Sequence, residues 1–232
     1  MRNFQKFLGR YANFLMLILL CAIAALFSES FFSARNLSNI LKQSCILGVL
    51  TLGLSNILIS GHMDLSIGAQ MSFTGLMAIT LQKIMPVGVA IATAILIGCI
   101  LGFVNGIIVV LSHADSGGSL MITYGTNLVF SAMSLIYTEG FTLEGSQSEF
   151  YNSIGIGTLV NLGDWGKYIS YSMIIFAFFA IIMIVLESKT VYGRAIHMIG
   201  YNQECARLAG LRTSISILIS YMIMGVMAAV AA

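Results

Sequence analysis

Seven long apolar stretches alternate with short polar ones along the chain: Tyr11–Phe32, Ser44–Ser60, Leu65–Gln82, Pro86–Leu111, Leu120–Thr138, Tyr168–Glu187 and Ser214–Ala232. Each is close to the roughly 20 residues an α-helix needs to cross a bilayer. Within them the apolar residues run continuously, whereas a membrane β-barrel would show short segments of alternating polar and apolar positions. The pattern predicts an all-α, polytopic membrane protein of about seven spans, built as a single domain over residues 1–232. Two of the polar interruptions carry more than a turn needs. One is "GHMDLSIG", Gly61–Gly68; the other is the long segment Thr190–Arg212.

Composition agrees with the pattern. Hydrophobic residues make up 58% of the chain and charged residues 9%, against roughly 25% charged in soluble domains. Such a chain cannot cover a water-facing surface. A net charge of +2 is too small to argue for nucleic acid. Cys21, Cys45, Cys99 and Cys205 are scattered without a CxxC pair and read as small apolar packing residues. The N-terminal "MRNFQKFLGR" is basic and precedes an apolar run that is long for a cleaved signal peptide. It is read as an uncleaved first span, with Arg2, Lys6 and Arg10 held in the cytoplasm.

Alternation from that start puts Glu139–Lys167 outside and Glu187–Thr213 inside. The outer segment carries Glu139, Glu144, Glu149 and Asp164 against Lys167 alone. The inner one carries Lys189, Arg194, Arg207 and Arg212 against Glu187 and Glu204. Arg35, Lys42 and Lys83 fall on the outer side against the trend. The final run, "YMIMGVMAAVAA", lacks a polar flank, which suggests a chain truncated at its C-terminus.

Chemistry is sparse. The sequence has no GxxxxGK[ST], HExxH or GxSxG, and His62, His113 and His197 lie far apart. No cofactor, metal site or catalytic residue is expected. His62, Asp64 and Ser66 form the tightest polar cluster, but on a helix Asp64 and Ser66 would face different sides. Two roles remain open for Asp64 and Ser66. Asp64 could cap the following span as a structural residue. Alternatively a polar, glycine-bracketed break could line or gate a translocation route, since irregular backbone at membrane depth must be satisfied by protein or water. Ser55, Asn56, Gln70, Thr74, Asn105, Thr123, Thr126 and Asn127 supply uncharged hydrogen-bonding groups within the spans. Each could equally bond helix to helix.

The inner segment reads as a capped lever. Asn202 suits an N-cap, and Glu204 and Arg207, three apart in "QECARLA", share a helix face. Gly210 suits the left-handed position that ends a helix. Cys205, Leu208 and Ala209 are expected on the other side. Gly193 and Gly200 are expected to break the chain ahead of it. A helix this short is marginal alone and needs a partner surface, either its own membrane domain or another protein.

The segment "TVYGRAIHMIGYNQECARLAGL" resembles the cytoplasmic coupling segment of permeases from bacterial ATP-binding-cassette sugar importers of the ribose, galactose and xylose branch. Their pattern T-x-x-G-R-x-x-x-A-I-G-x-N-x-x-A-A-R-x-x-G is matched at Thr190, Gly193, Arg194, Ile199, Gly200, Asn202, Ala206, Arg207 and Gly210. "GHMDLSIG" is similar to the family's G-G-x-D-L-S-x-G, with His62 replacing a glycine. "FFSARNLSNILKQ" and "LGFVNGIIV", with Asn105 and Gly106, match in the right order. One departure is "SGGSLMITYGT", which keeps Thr123, Gly125 and Thr126 but lacks the family's proline pair. Two glycines there are expected to loosen an inner loop that prolines would stiffen.

The resemblance implies a multi-pass inner-membrane permease with coupling segment 188–213. It also implies a second permease copy, two cytoplasmic ATPase subunits and an external sugar-binding protein. Arg194, Asn202, Glu204, Arg207 and Gly210 become candidates for ATPase coupling. Asp64, Ser66, Asn105, Thr123 and Thr126 become candidates for the pathway or its gate. An ion-coupled secondary transporter is the alternative, yet it would place acids or bases deep in the spans. A non-transporting membrane scaffold is the other.

Overall fold

The computed structural model describes residues 2–28, 30–141, 143, 148–157 and 169–232. Glu29, Glu144, Asp164 and Lys167 lie outside the described residues, as do the side chains of Arg2, Lys6 and Arg10. Among the described residues every regular element longer than a bridge is a helix: α1 (Arg2–Phe27), α2 (Ala34–Ile59), α3 (Ile67–Leu81), α4 (Val87–Leu111), α5 (Ser116–Thr138), α6 (Glu149–Ile156), α7 (Tyr171–Lys189), α8 (Val191–Tyr201), α9 (Gln203–Leu208) and α10 (Thr213–Ala231). Five of them, α2, α4, α5, α7 and α10, are long and apolar enough to cross a membrane. The apolar parts of the other two expected spans are shorter, Phe14–Phe27 within α1 and Ile67–Leu81 in α3.

Boundaries moved where polar residues concealed helix. The second helix starts ten positions before the expected Ser44, because Ser33 caps it by accepting a hydrogen bond from the Asn36 amide. "ARNLSNILKQ" is therefore helical despite its polar residues. The expected loose loop around Gly117 and Gly118 is instead the first turn of α5. Asp115 caps it, its Oδ1 accepting from the Gly118 N–H at 2.7 Å. The segment Glu139–Lys167, expected on the outer side, contains α6, capped by Ser148.

Packing centres on α10, which touches α2, α3, α4 and α8. Its seam with α4 is built from backbone. Gly98, Gly102 and Gly106 repeat every four residues on α4, so they share one face. A Cβ at Gly102 would stand 2.9 Å from the Tyr221 carbonyl carbon and 3.0 Å from Met222 Cα, and one at Gly225 would stand 3.0 Å from Gly102 N. Lipid tails are as apolar as leucine, so helix association in membranes depends on such close approach rather than on hydrophobic exclusion. Around the seam Ile57, Val109, Ile199, Ala206, Ile217, Tyr221, Met224 and Ala228 form one apolar cluster. That cluster joins the spans to α8 and α9.

Candidate functional site

The link between α2 and α3 is not a surface turn. Gly61 has φ +81, a left-handed conformation that glycine adopts without the Cβ clash, and it reverses the chain beside Gly200 of α8. Residues 62–66 form no regular element, with a bend at Leu65. His62, Asp64 and Ser66 are buried, while Met63 and Leu65 are exposed. The expectation that Asp64 and Ser66 face apart is thereby corrected: it assumed helix, and helix begins only at Ile67.

This non-helical segment is held from three helices. The Met63 N–H donates to Ser119 Oγ and the Leu65 N–H to Thr123 Oγ1, both at 3.0 Å and both from α5. From α10, the Tyr221 hydroxyl donates to the Met63 carbonyl at 2.9 Å. From α4, Asn105 Nδ2 donates to Ser66 Oγ at 2.6 Å. Backbone outside any helix thus finds its partners in side chains, as buried backbone requires.

Asp64 sits within this cradle and does not cap α3 through a helix amide in the ordinary way. Its Oδ1 accepts from the Ser66 N–H at 2.7 Å and from Ser66 Oγ at 2.6 Å, and its Oδ2 accepts from Gln70 Nε2 at 3.3 Å. Gln70 Nε2 also donates to Ser66 Oγ at 2.7 Å. Ser66, Gln70, Asn105 and Thr123 are fully buried, and Asp64 nearly so. These partners of the carboxylate are uncharged donors. Two acceptors in the cluster, Gln70 Oε1 and Asn105 Oδ1, have no hydrogen-bond partner.

His62 closes the segment's other end. Its Nδ1 lies 2.9 Å from the Ser60 carbonyl, which can only accept, so that nitrogen carries the proton. Burial pushes the imidazole below its ordinary value, against an upward pull from the Ser60 and Ala114 carbonyls and the Asp115 charge. Thr126 stands apart from this group and bonds the Thr123 carbonyl of its own helix. A cavity of about 350 Å³ lies elsewhere, lined by residues such as Cys45, Ala94, Tyr151, Phe179 and Ala232. It shares no lining residue with the Asp64 cluster.

The segment after α7 forms two helices rather than one helix and a broken approach. Gly193 and Gly200 do not interrupt α8. They lie where the backbone of Glu187 and of Ile59 leaves no room for a Cβ. With Ala195, Ile196 and Ile199 also buried, α8 seats one face against the spans. Asn202 then caps α9, its Oδ1 accepting from the Cys205 N–H at 3.0 Å, and Gly210 follows at φ +82. Both expectations hold. The inward residue of α9 is Ala206, while Cys205, Leu208 and Ala209 are exposed, which corrects the expected face. One helical turn buries only one position in three or four, and here Ala206 takes it.

What α9 shows to solvent is an ion pair, Arg207 to Glu204 at 2.8 Å, with Leu208 at 84% and Tyr201 at 97% exposure beside it. Arg194 is exposed on α8. Sequence reasoning missed Tyr192. Its hydroxyl lies 2.8 Å from Ser220 Oγ and donates to Asn56 Oδ1 at 3.3 Å. Burial, opposed by the Ser220 hydrogen bond and aided by the Glu187 charge, pushes that phenol up to about 12. It stays a neutral hydrogen-bonding group at any physiological pH.

A bundle of apolar helices with a buried polar link and a capped two-helix segment is the framework of a polytopic helical membrane protein. The chain belongs to the family described as branched-chain amino acid transport system / permease component, which matches residues 36–232. It is 27% identical to the ribose import permease protein of Haemophilus influenzae over 91% of this chain and 64% of that protein. It is 29% identical to the galactose/methyl galactoside import permease protein of Escherichia coli K12 over 97% of this chain and 70% of that protein. The D-allose transport system permease protein of the same strain is 27% identical, over 99% and 68%. The chain thus spans about two thirds of the length of these relatives. No solved structure matches it.

Proposed function

We propose that this chain is the membrane permease subunit of an ATP-driven importer that carries a monosaccharide across the bacterial inner membrane. ATP hydrolysis belongs to separate cytoplasmic subunits, an external binding protein delivers the sugar, and a second permease copy completes the route. The N-terminus and the α8–α9 end face the cytoplasm. The observation that carries this reading is the projection itself. Asn202 and Gly210 stop a one-turn helix at both ends, Ala206 seats it, and Glu204, Arg207, Tyr201 and Leu208 point away from the body. That is the shape of a rigid handle that inserts into another protein.

Sugar as cargo rests on the relatives, whose names specify ribose, galactose and allose. The family's description favours a second cargo, branched-chain amino acids. Three relatives whose names specify a sugar favour the first. Asp64, Ser66, Asn105 and Thr123 hold the segment that would shape the route. Thr126 lies one helical turn from it on α5.

The test is co-purification and uptake. A P-loop ATPase is expected to come down with the permease, and labelled ribose, galactose or allose to be taken up rather than leucine. The Glu204–Arg207 pair is two-thirds exposed, so it adds little stability. Glu204→Lys and Arg207→Glu should therefore leave the fold intact while weakening ATPase association and uptake. Intact association and uptake in both variants, or labelling of Cys205 from the outer side, would refute the coupling assignment.

A further inference from the structure

We propose that Tyr192 is a positioning residue of the coupling machinery, a polar pin that makes α2 and α10 move together with the α8–α9 handle. This rests on the permease reading given above. Tyr192 lies in the first turn of α8, next to the Thr190 cap, and its ring carries the hydroxyl between two spans. Ser220 of α10 and Asn56 of α2 are both fully buried. Their other bonds stay within their own helices: Asn56 Nδ2 donates to the Leu52 carbonyl and Ser220 Oγ to that of Ser216.

The protons allow a directed chain. The phenol has one proton, which goes to Asn56 Oδ1, an acceptor with no proton to offer. The Ser220 hydroxyl, 2.8 Å away, then donates its single proton to the phenol oxygen in place of the Ser216 carbonyl. In that arrangement one hydroxyl ties α8 to two spans. Besides the close backbone approach at Gly193 and Gly200, α8 meets the spans through Ala195, Ile196 and Ile199, which are apolar and non-directional. Tyr192 adds a hydrogen bond, which depends steeply on angle and distance.

The next residue extends the link to the site. Tyr221, adjacent to Ser220, donates to the Met63 carbonyl of the segment that carries Asp64. A displacement of α9 thus reaches that segment through α8, Tyr192 and one turn of α10. The final stretch of α2, from Asn56 to Ser60, leads into the same segment from its other end. The pin grips both approaches to Asp64 at once.

The experiment uses the whole assembly, permease with its ATPase and binding protein, reconstituted in vesicles. Tyr192→Phe keeps the ring and removes the pin. ATPase association and hydrolysis are expected to persist, while uptake of whichever labelled sugar the wild type accumulates falls about fivefold or more per ATP hydrolysed. Ser220→Ala removes one of the two bonds and should lower uptake per ATP in the same direction, and the double variant should lose no more than Tyr192→Phe, which already removes both. A readout independent of the sugar is hydrogen exchange at the Met63 and Leu65 amides. A non-hydrolysable ATP analogue should change it in the wild type, and in Tyr192→Phe should change exchange at α9 alone.

An unchanged uptake-to-ATP ratio with an unchanged exchange response overturns the pin, as do losses that multiply in the double variant. A fall in uptake that merely follows the amount of folded permease in the membrane also overturns it, assigning Tyr192 to packing. Failure of the permease reading looks different: no ATPase is then retained even by the unaltered chain.

Discussion

Gly102→Ala should damage this protein, while the same substitution at Gly125, also inside a helix, should not. Alanine is the better helix former by about 0.8–1.0 kcal/mol, so propensity alone favours both changes. Around Gly125 nothing lies within 4 Å of the new Cβ, so that gain should appear nearly whole. At Gly102 the Cβ would meet the Tyr221 carbonyl group and Met222 Cα, all backbone. A side chain could rotate away; a neighbouring helix backbone cannot. To make room, α10 would have to move off α4, opening the seam at Gly98 and Gly106 as well. Overpacking of a well-packed core costs typically 1–3 kcal/mol, and a backbone obstacle puts this site at the upper end. Net of propensity, Gly102→Ala should cost about 1–2 kcal/mol and stand roughly 2–3 kcal/mol below Gly125→Ala. Equilibrium unfolding of the purified protein in mixed detergent micelles measures both. A Gly102→Ala protein as stable as Gly125→Ala would mean that α4 and α10 do not meet as described.

Two further outcomes follow from the segment before α3. Ser66→Ala deletes a hydroxyl that takes hydrogen bonds from Asn105 and Gln70 and gives one to Asp64; stranding two buried amide donors should cost about 2–4 kcal/mol in the same unfolding measurement, and a loss below about 0.5 kcal/mol would show that the network does not hold the segment. His62 has its pKa lowered by burial from the ordinary 6.5, so the folded state favours neutral imidazole. Its contribution is therefore complete above that value and is lost as the pH falls through it. The melting temperature of the wild type should drop between about pH 7.5 and 5.5 more than that of His62→Gln, and equal slopes would remove His62 from the account.

The sequence was informative where a property is local. Runs of apolar residues as long as a bilayer is thick can hardly be anything but helices in lipid, because every backbone group there must be satisfied within the segment. The caps of α9 were equally legible, since Asn202 bonds an amide three residues on and Gly210 needs only its own φ. Ser33 and Asp115 did the same for α2 and α5 but went unread, because the polar turns behind them resembled loops.

What tertiary structure decided is the placement of polar atoms between elements far apart in sequence. The alternate burial of His62, Asp64 and Ser66 lies on a non-helical link whose backbone and side chains Ser119, Thr123, Asn105 and Tyr221 reach from three other helices. Nothing within eight residues specifies those partners. The same holds for Tyr192, which looks like one tyrosine among nine until α2 and α10 close around its hydroxyl. Local hydrogen bonds and hydrophobic run lengths are written residue by residue. Contacts that cross the bundle appear only when the glycine seam sets how closely α4 and α10 approach, and with them every side chain they carry.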